Sequence, residues 1–378
     1  KKFKLGWEIS LYIHRVLLIV SIALVNPIVS DFGSIRAQEN AYPLQMSAGK
    51  KSHRPEVPGV NGLVTAGHPL ASMAGLRILM SGGNAIDAAV AVLATLNVVR
   101  PQMSGAGGNG FLTYFDESSG AVRSLTAAGA APEALVAGDR LAEELNKGIY
   151  AGVVPGLLGG WVSMLKEFGT MSLSEVLEPA IEYATDGHPI EASVVQAIAS
   201  QEDLFRQYPT SARMFLPEDR VPEVGELFRM PDLASTFRKL IEEEERVLQQ
   251  GRSRNEALDA AFSRFYNGDI AEEFVQFYRE EGGLFTEEDF ANFNPIWDDP
   301  IHINYRGYDI YSSPPTSRGG LEVLMQLKLV ERFDLAALGS GSPLLTHLLA
   351  EAIQVAKSDI YQYVADPKKF SVPTEGML

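Results

Sequence analysis

Residues Ser104-Gly105-Ala106-Gly107-Gly108-Asn109-Gly110 set a hydroxyl beside a run of glycines, a segment able to bring backbone N–H groups close to a ligand. Gly105, Gly107 and Gly110 fit the G-x-G-x-x-G spacing of a dinucleotide loop. That chemistry needs a strand before the loop and a helix after it, so that helix N–H groups meet the pyrophosphate. Here a helical pattern precedes the loop, and Phe111-Leu112-Thr113-Tyr114-Phe115 reads as a strand after it. Two readings remain: a tight backbone crossing that requires glycine, or a loop under a substrate pocket whose N–H groups hold an oxyanion or carboxylate. Ser104 as a nucleophile lacks the G-x-S-x-G elbow, because Gln102 stands two residues before it. A second segment, Pro314-Pro315-Thr316-Ser317-Arg318-Gly319-Gly320, leads into a helix. It is either a capped turn or an anion site on the free N–H groups of that helix.

Other chemistries are excluded or disfavoured by composition. Without cysteine there is no disulfide, thiolate zinc site or cysteine nucleophile. His14, His53, His68, His188, His302 and His347 form no HxxxH or HExxH pair, so the sequence implies neither a metal nor a cofactor. Lysine and arginine total 32 against 48 acidic residues, a net charge of -16, which argues against nucleic acid as a partner.

The elements that must position these segments follow from the pattern. Gly62-Leu63-Val64-Thr65-Ala66 predicts a short buried strand. Pro69 opens a helix over Leu70 to Met80, which stops at Gly82-Gly83. Asn84 can cap the next helix, Ala85 to Asn97; it is apolar nearly all round and predicts burial, leaving Asp87 in need of a partner. Phe111–Phe115 and Ala121–Thr126 form a hairpin about the turn Asp116 to Gly120. From Leu141 to Phe293 the pattern is helical, and the acidic run Ile241 to Glu245 reads as a solvated face. Strands return over 300–312, followed by helices Leu321 to Phe333 and Leu344 to Val364.

The N-terminus differs in kind. Basic residues up to Arg15 precede the apolar run Val16 to Val25, the shape of a secretory signal and too short for a membrane span. The expected organisation is a signal-like segment over 1–37, a Pro-containing linker over 38–58 and a folded body over 59–378. The expected location is outside the cytoplasm, with membrane contact only through the signal-like segment.

Several ordered motifs carry a family resemblance. Gly67-His68-Pro69-Leu70-Ala71-Ser72 with Gly82-Gly83-Asn84-Ala85-Ile86-Asp87-Ala88-Ala89-Val90-Ala91 resembles "HPLAS…GGNAxDAAVA". Val98 to Phe111 resembles "VVEPxxSGIGGGGF", and Val154-Pro155-Gly156 with Gly160-Trp161 resembles "VPGxxxGW". Phe265 to Ala271 resembles "FYxGxIA", Tyr305 to Gly320 resembles "YRGY…PPPSSGG", and Glu351 to Pro367 resembles "EAxxxAxxDRxxYxxDP". Together they resemble the gamma-glutamyltranspeptidase (glutathione hydrolase) superfamily from Gly62 to Leu378. The resemblance implies the large-subunit part of a four-layer αββα N-terminal-nucleophile hydrolase, an α/β fold. It implies a precursor that cuts itself before a threonine, whose free α-amine is then the general base of a small subunit. No Thr-Thr-His-like stretch occurs here, so no catalytic residue is assigned, and the chain alone is expected to be inactive. The expected partners are that small subunit and a small-molecule amide.

One departure bears on substrate. Members acting on glutathione carry Arg-Glu-x-Ala-Pro after the hairpin, and the arginine holds the glutamyl α-carboxylate. Here the stretch is Thr126-Ala127-Ala128-Gly129-Ala130-Ala131-Pro132, with Ala128 in the arginine's place. It resembles the "DASGRAP" of the oxamate amidohydrolase-like branch, whose own arginine is replaced by Ala130. Arg123 and Arg318 are the cations that could serve the pocket from elsewhere. The expected activity is cleavage of gamma-glutamyl amides such as glutathione. The rivals are a hydrolase of another small amide and a non-catalytic exported scaffold, which a downstream Thr-Thr-His-like motif would separate.

Overall fold

The computed structural model describes residues 57–136, 138 and 143–378. The chain divides into Lys1–Gly59 and Val60–Leu378, and the second unit carries every element below. The signal-like segment and the linker, save its last two residues, lie outside the described residues.

His68 starts the first helix, α1 (Pro69–Met80): its Nδ1 accepts the Leu70 N–H at 3.1 Å, and Pro69 fills the first position, where a missing N–H costs little. Gly82, at φ +95, turns the chain. Asn84 then caps α2 (Ala85–Val99) in a reciprocal box with Asp87. The two helices pack closely because Gly75 has no side chain; a Cβ there would lie 2.6 Å from Val92 Cγ2. As its composition demanded, α2 is buried along most of its length. The partners Asp87 needed are Asn84 N–H, Thr170 N–H and Oγ, and Met171 N–H, so a fully buried carboxylate pins the 168–171 loop to α2.

The hairpin forms as expected, with β1 (Gly110–Asp116) antiparallel to β2 (Ala121–Ala127) and Leu112 opposite Leu125. Helices α3 (Leu157–Glu167) and α4 (Leu173–Asp186) follow. Then come β3 (His188–Pro189), α5 (Ala192–Ser200) and β4 (Leu227–Phe228), with β3 pairing β4. Helices α6 (Pro231–Gln249), α7 (Arg254–Asn267) and α8 (Asp269–Glu280) complete the helical middle. A third strand, β5 (Ile296–Asp298), joins β2 with Leu125 opposite Trp297. Last come the ladder β6 (Ile301–Tyr305) and β7 (Tyr308–Ser312) and the helices α9 (Arg318–Val330) and α10 (Pro343–Tyr363).

Two cores result. The larger gathers α2, α3, α4, α6 and α7 on the face of the three-stranded sheet that carries Leu112, Tyr114, Leu125 and Trp297. The smaller joins α9 and α10 to β6 through Leu321, Met325, Ala356, Ile360 and Ile301. On the opposite face of the hairpin, Phe111 and Phe115 of β1 are 45% and 55% exposed, while Ser124 and Thr126 of β2 are buried.

The structure corrects the sequence expectations at several points. Gly62 to Ala66 forms no strand and joins no ladder among the described residues, and Leu63 is exposed rather than buried. The helix expected from Leu321 begins at Arg318, with Gly319 and Gly320 in its first turn; a Cβ at Gly320 would overlap the Ser312 hydroxyl. Glu244, expected on a solvated face, is buried. Both its oxygens accept the Leu173 N–H at the start of α4, and burial pushes its carboxyl above the usual range.

Candidate functional site

The glycine loop is first of all a backbone crossing. The Gly108 carbonyl accepts N–H bonds from both Gly156 and Leu157, at 2.9 and 2.8 Å, and so caps α3, which has no side-chain cap. Gly110 leaves room for Leu157; a Cβ there would stand 2.6 Å from Leu157 Cδ1. Tyr266 locks the same corner, donating to Pro155 O at 2.7 Å and accepting the Gly159 N–H at 3.0 Å. Burial drives its phenol pKa far up, so the hydroxyl keeps its proton. Ser104, the candidate nucleophile, accepts a hydrogen bond from Asn97 Nδ2 at 2.8 Å inside this framework.

Beside the crossing runs the segment Ala127 to Pro132, which holds the position of the absent arginine. Ala127 is 3% exposed and Ala128, one residue past the end of β2, is half-buried. Glycines let this segment press onto the 154–156 turn: a Cβ on Gly129 would overlap the Val154 carbonyl, and one on Gly156 would overlap the Ala127 carbonyl. Val154 N–H donates to Ala130 O at 2.9 Å, and Gly129 N–H donates to Asn109 Oδ1 at 3.1 Å. The Ala128 backbone is therefore held from two sides by fixed partners.

Neither arginine pairs with it among the described residues. Arg123 stands on β2 opposite Tyr114, with its guanidinium 5.7 Å from the centre of the Trp297 ring, on the strand face that meets the helices. Five residues of strand place it roughly 17 Å along the chain from Ala128. Arg318 opens α9 and lies 5.8 Å from the Tyr361 ring. Among the described residues neither makes a hydrogen bond or ion pair with residues 128–132. Ser317 gives α9 no side-chain cap, which corrects the capped-turn expectation; instead Ser313, just before that turn, meets Thr113 of β1 at 3.4 Å.

A polar cluster not foreseen from the sequence lies where α1, α2 and α5 meet. Arg100 donates to Gly67 O at 2.8 Å and pairs with Glu191 at 3.4 Å, and His68 stands 3.9 Å from the same carboxylate. His188 is 2% exposed and its Nδ1 has no hydrogen-bond partner. Burial, then the nearby His68, lowers its pKa to about 4. Below pH 6.5 the unfolded chain takes up a proton that folded His188 refuses, so stability falls as pH drops from 6.5 towards 4. His68 is shifted the same way, mainly by burial. The expected loss between pH 7 and pH 5 is about 2 kcal/mol. Urea titrations at the two pH values should show it, and His188→Phe should flatten it; an unchanged pH dependence in that variant would assign it elsewhere.

Comparison with solved structures defines the class. The fold matches the Helicobacter pylori gamma-glutamyltranspeptidase with a TM-score of 0.77 at 32% identity, covering 85% of this chain and 90% of that one. It matches the cephalosporin acylase from Bacillus halodurans with a TM-score of 0.73 at 31% identity, covering 88% and 61%. This is the α/β fold of the N-terminal-nucleophile hydrolases. Residues 71–378 match the gamma-glutamyltranspeptidase family, and the chain belongs to it. The Glutathione hydrolase proenzyme of Bacillus subtilis (strain 168) is 36% identical over 331 residues, 85% of this chain and 53% of the relative. The chain thus spans about half the length of the curated relatives it matches.

Proposed function

We propose that this chain forms the large-subunit part of an N-terminal-threonine amidohydrolase or acyltransferase that cleaves gamma-glutamyl amides through a threonine-bound acyl group. The family match over residues 71–378 carries the reading. In the proposed chemistry the threonine hydroxyl, relieved of its proton by its own α-amine, attacks the amide carbonyl. The C–N bond breaks, the amine leaves with that proton, and water or a second amine then takes the acyl group. The role of this chain is to shape the acyl side of the pocket with the rigid 127–132 segment. The exposed Phe111 and Phe115 on one face of β1 support a partner sheet supplied by a small subunit.

The second reading, hydrolysis of a different small amide, is favoured by Ala128 and Ala130, which offer no charge to an α-carboxylate. Expression from the complete gene tests the mechanism shared by both. Two fragments are expected on a denaturing gel, with threonine at the new N-terminus of the smaller one. A single uncut chain with full amidase activity would overturn it.

A further inference from the structure

Asn109 stands where the motif resembled by this loop has glycine, and it is the residue that ties the loop to the Ala128 segment. The bond between them settles the orientation of its amide. Gly129 offers an N–H, which only the amide oxygen can accept, so the NH2 group is the end that points away. Asn109 is exposed, and among the described residues its NH2 group has no partner. Two N–H donors therefore stand free beside a segment whose own side chain, the methyl of Ala128, can donate nothing.

We infer that Asn109 is a specificity-determining residue on the acyl side of the pocket, selecting acyl groups that carry an acceptor oxygen at their far end. The inference rests on the reading that the 127–132 segment borders that side. A neutral amide differs from a guanidinium in what it selects. It offers hydrogen bonds without charge, so an ester or ketone oxygen serves it nearly as well as a carboxylate. Its oxygen meanwhile holds the segment in place. One side chain therefore positions Ala128 and supplies the recognition that Ala128 lacks.

The test uses the processed two-subunit protein and three anilides of equal acyl length: pentanoyl, glutaryl, and glutaryl monomethyl ester. Wild type should favour the ester over the pentanoyl substrate by about three- to tenfold in kcat/KM, the worth of one net hydrogen bond. Asn109→Asp keeps an oxygen for Gly129 N–H and so keeps the segment in place, but it replaces the donors by a negative charge. The ester-to-pentanoyl ratio should fall to about one, and the glutaryl-to-pentanoyl ratio should fall by tenfold or more. Asn109→Ala, which cannot hold the segment, should bring the ester-to-pentanoyl ratio to about one. If all three substrates change in parallel in both variants, Asn109 only ties the backbone and the inference is wrong. Failure of the underlying function looks different: wild type would then hydrolyse neither these three nor a gamma-glutamyl anilide, and the inference would fall with it.

Discussion

Asp87→Ala is expected to lower the stability of the folded chain by about 3–5 kcal/mol. The carboxylate is 0% exposed and accepts from Asn84 N–H at 2.9 Å, Thr170 N–H at 2.9 Å, Thr170 Oγ at 2.7 Å and Met171 N–H at 3.1 Å. Deleting it leaves these donors facing a cavity, and each unmet buried donor costs about 1–3 kcal/mol before the loop relaxes. Relaxation is limited because the Asn84 side chain also donates to Phe168 O, so the loop cannot leave α2 as a unit. Asp87→Asn keeps one acceptor oxygen but turns an NH2 towards backbone donors, so it should fall between wild type and alanine. Urea unfolding at pH 7 measures both variants. A loss below about 1 kcal/mol for the alanine variant would mean that the 168–171 loop does not depend on this carboxylate.

That residue also shows what could be read without coordinates. An acid inside a helix apolar on every side must find donors, so its need was legible, while the donors come from Thr170 and Met171, far along the chain. The glycines behave alike. Gly105 to Gly110 announced an unusual backbone, yet whether the loop offered N–H groups to a ligand or a carbonyl to a helix depended on where Leu157 begins its turn. Local signals also placed the first two helices, because His68-Pro69 and Asn84 act on neighbours two or three residues away.

Long-range pairing was not legible. The strand Ile296–Asp298 has three residues, too few to show alternation, and exists because Trp297 finds Leu125 across β2. Gly62 to Ala66 has the short apolar run of a buried strand, but a strand also needs a partner edge, and composition says nothing about one. Glu244 sits in an acidic run that reads as solvated; only the approach of α4 converts one glutamate of the run into a buried cap. In the sequence, Asn109 has the ordinary reading of a turn residue in a glycine loop. Its departure from the family's glycine was the available signal.

Ala128→Arg should raise kcat/KM for gamma-glutamyl anilides by about one to two powers of ten while leaving an amide without an α-carboxylate nearly unchanged. The magnitude is that of a charge-assisted hydrogen bond, about 1.5–3 kcal/mol, made by a planar guanidinium to a carboxylate. The local frame can accept the change. Residue 128 is half-buried and follows the last strand position, and its backbone is held by Asn109 and Val154 through Gly129 and Ala130 rather than through its own side chain. Gly129 must stay as it is, because any side chain there would overlap the Val154 carbonyl. The family's Arg-Glu pair therefore cannot be restored whole, and the single arginine is the informative variant. Steady-state kinetics on both substrate types, with the processed protein, provides the measurement. If wild type already turns over gamma-glutamyl anilides efficiently and the arginine adds nothing, another group holds the carboxylate. Arg123, seated against Trp297, and Arg318, near Tyr361, would each have to leave an aromatic contact to do so. Substituting each by methionine would then identify which one moves.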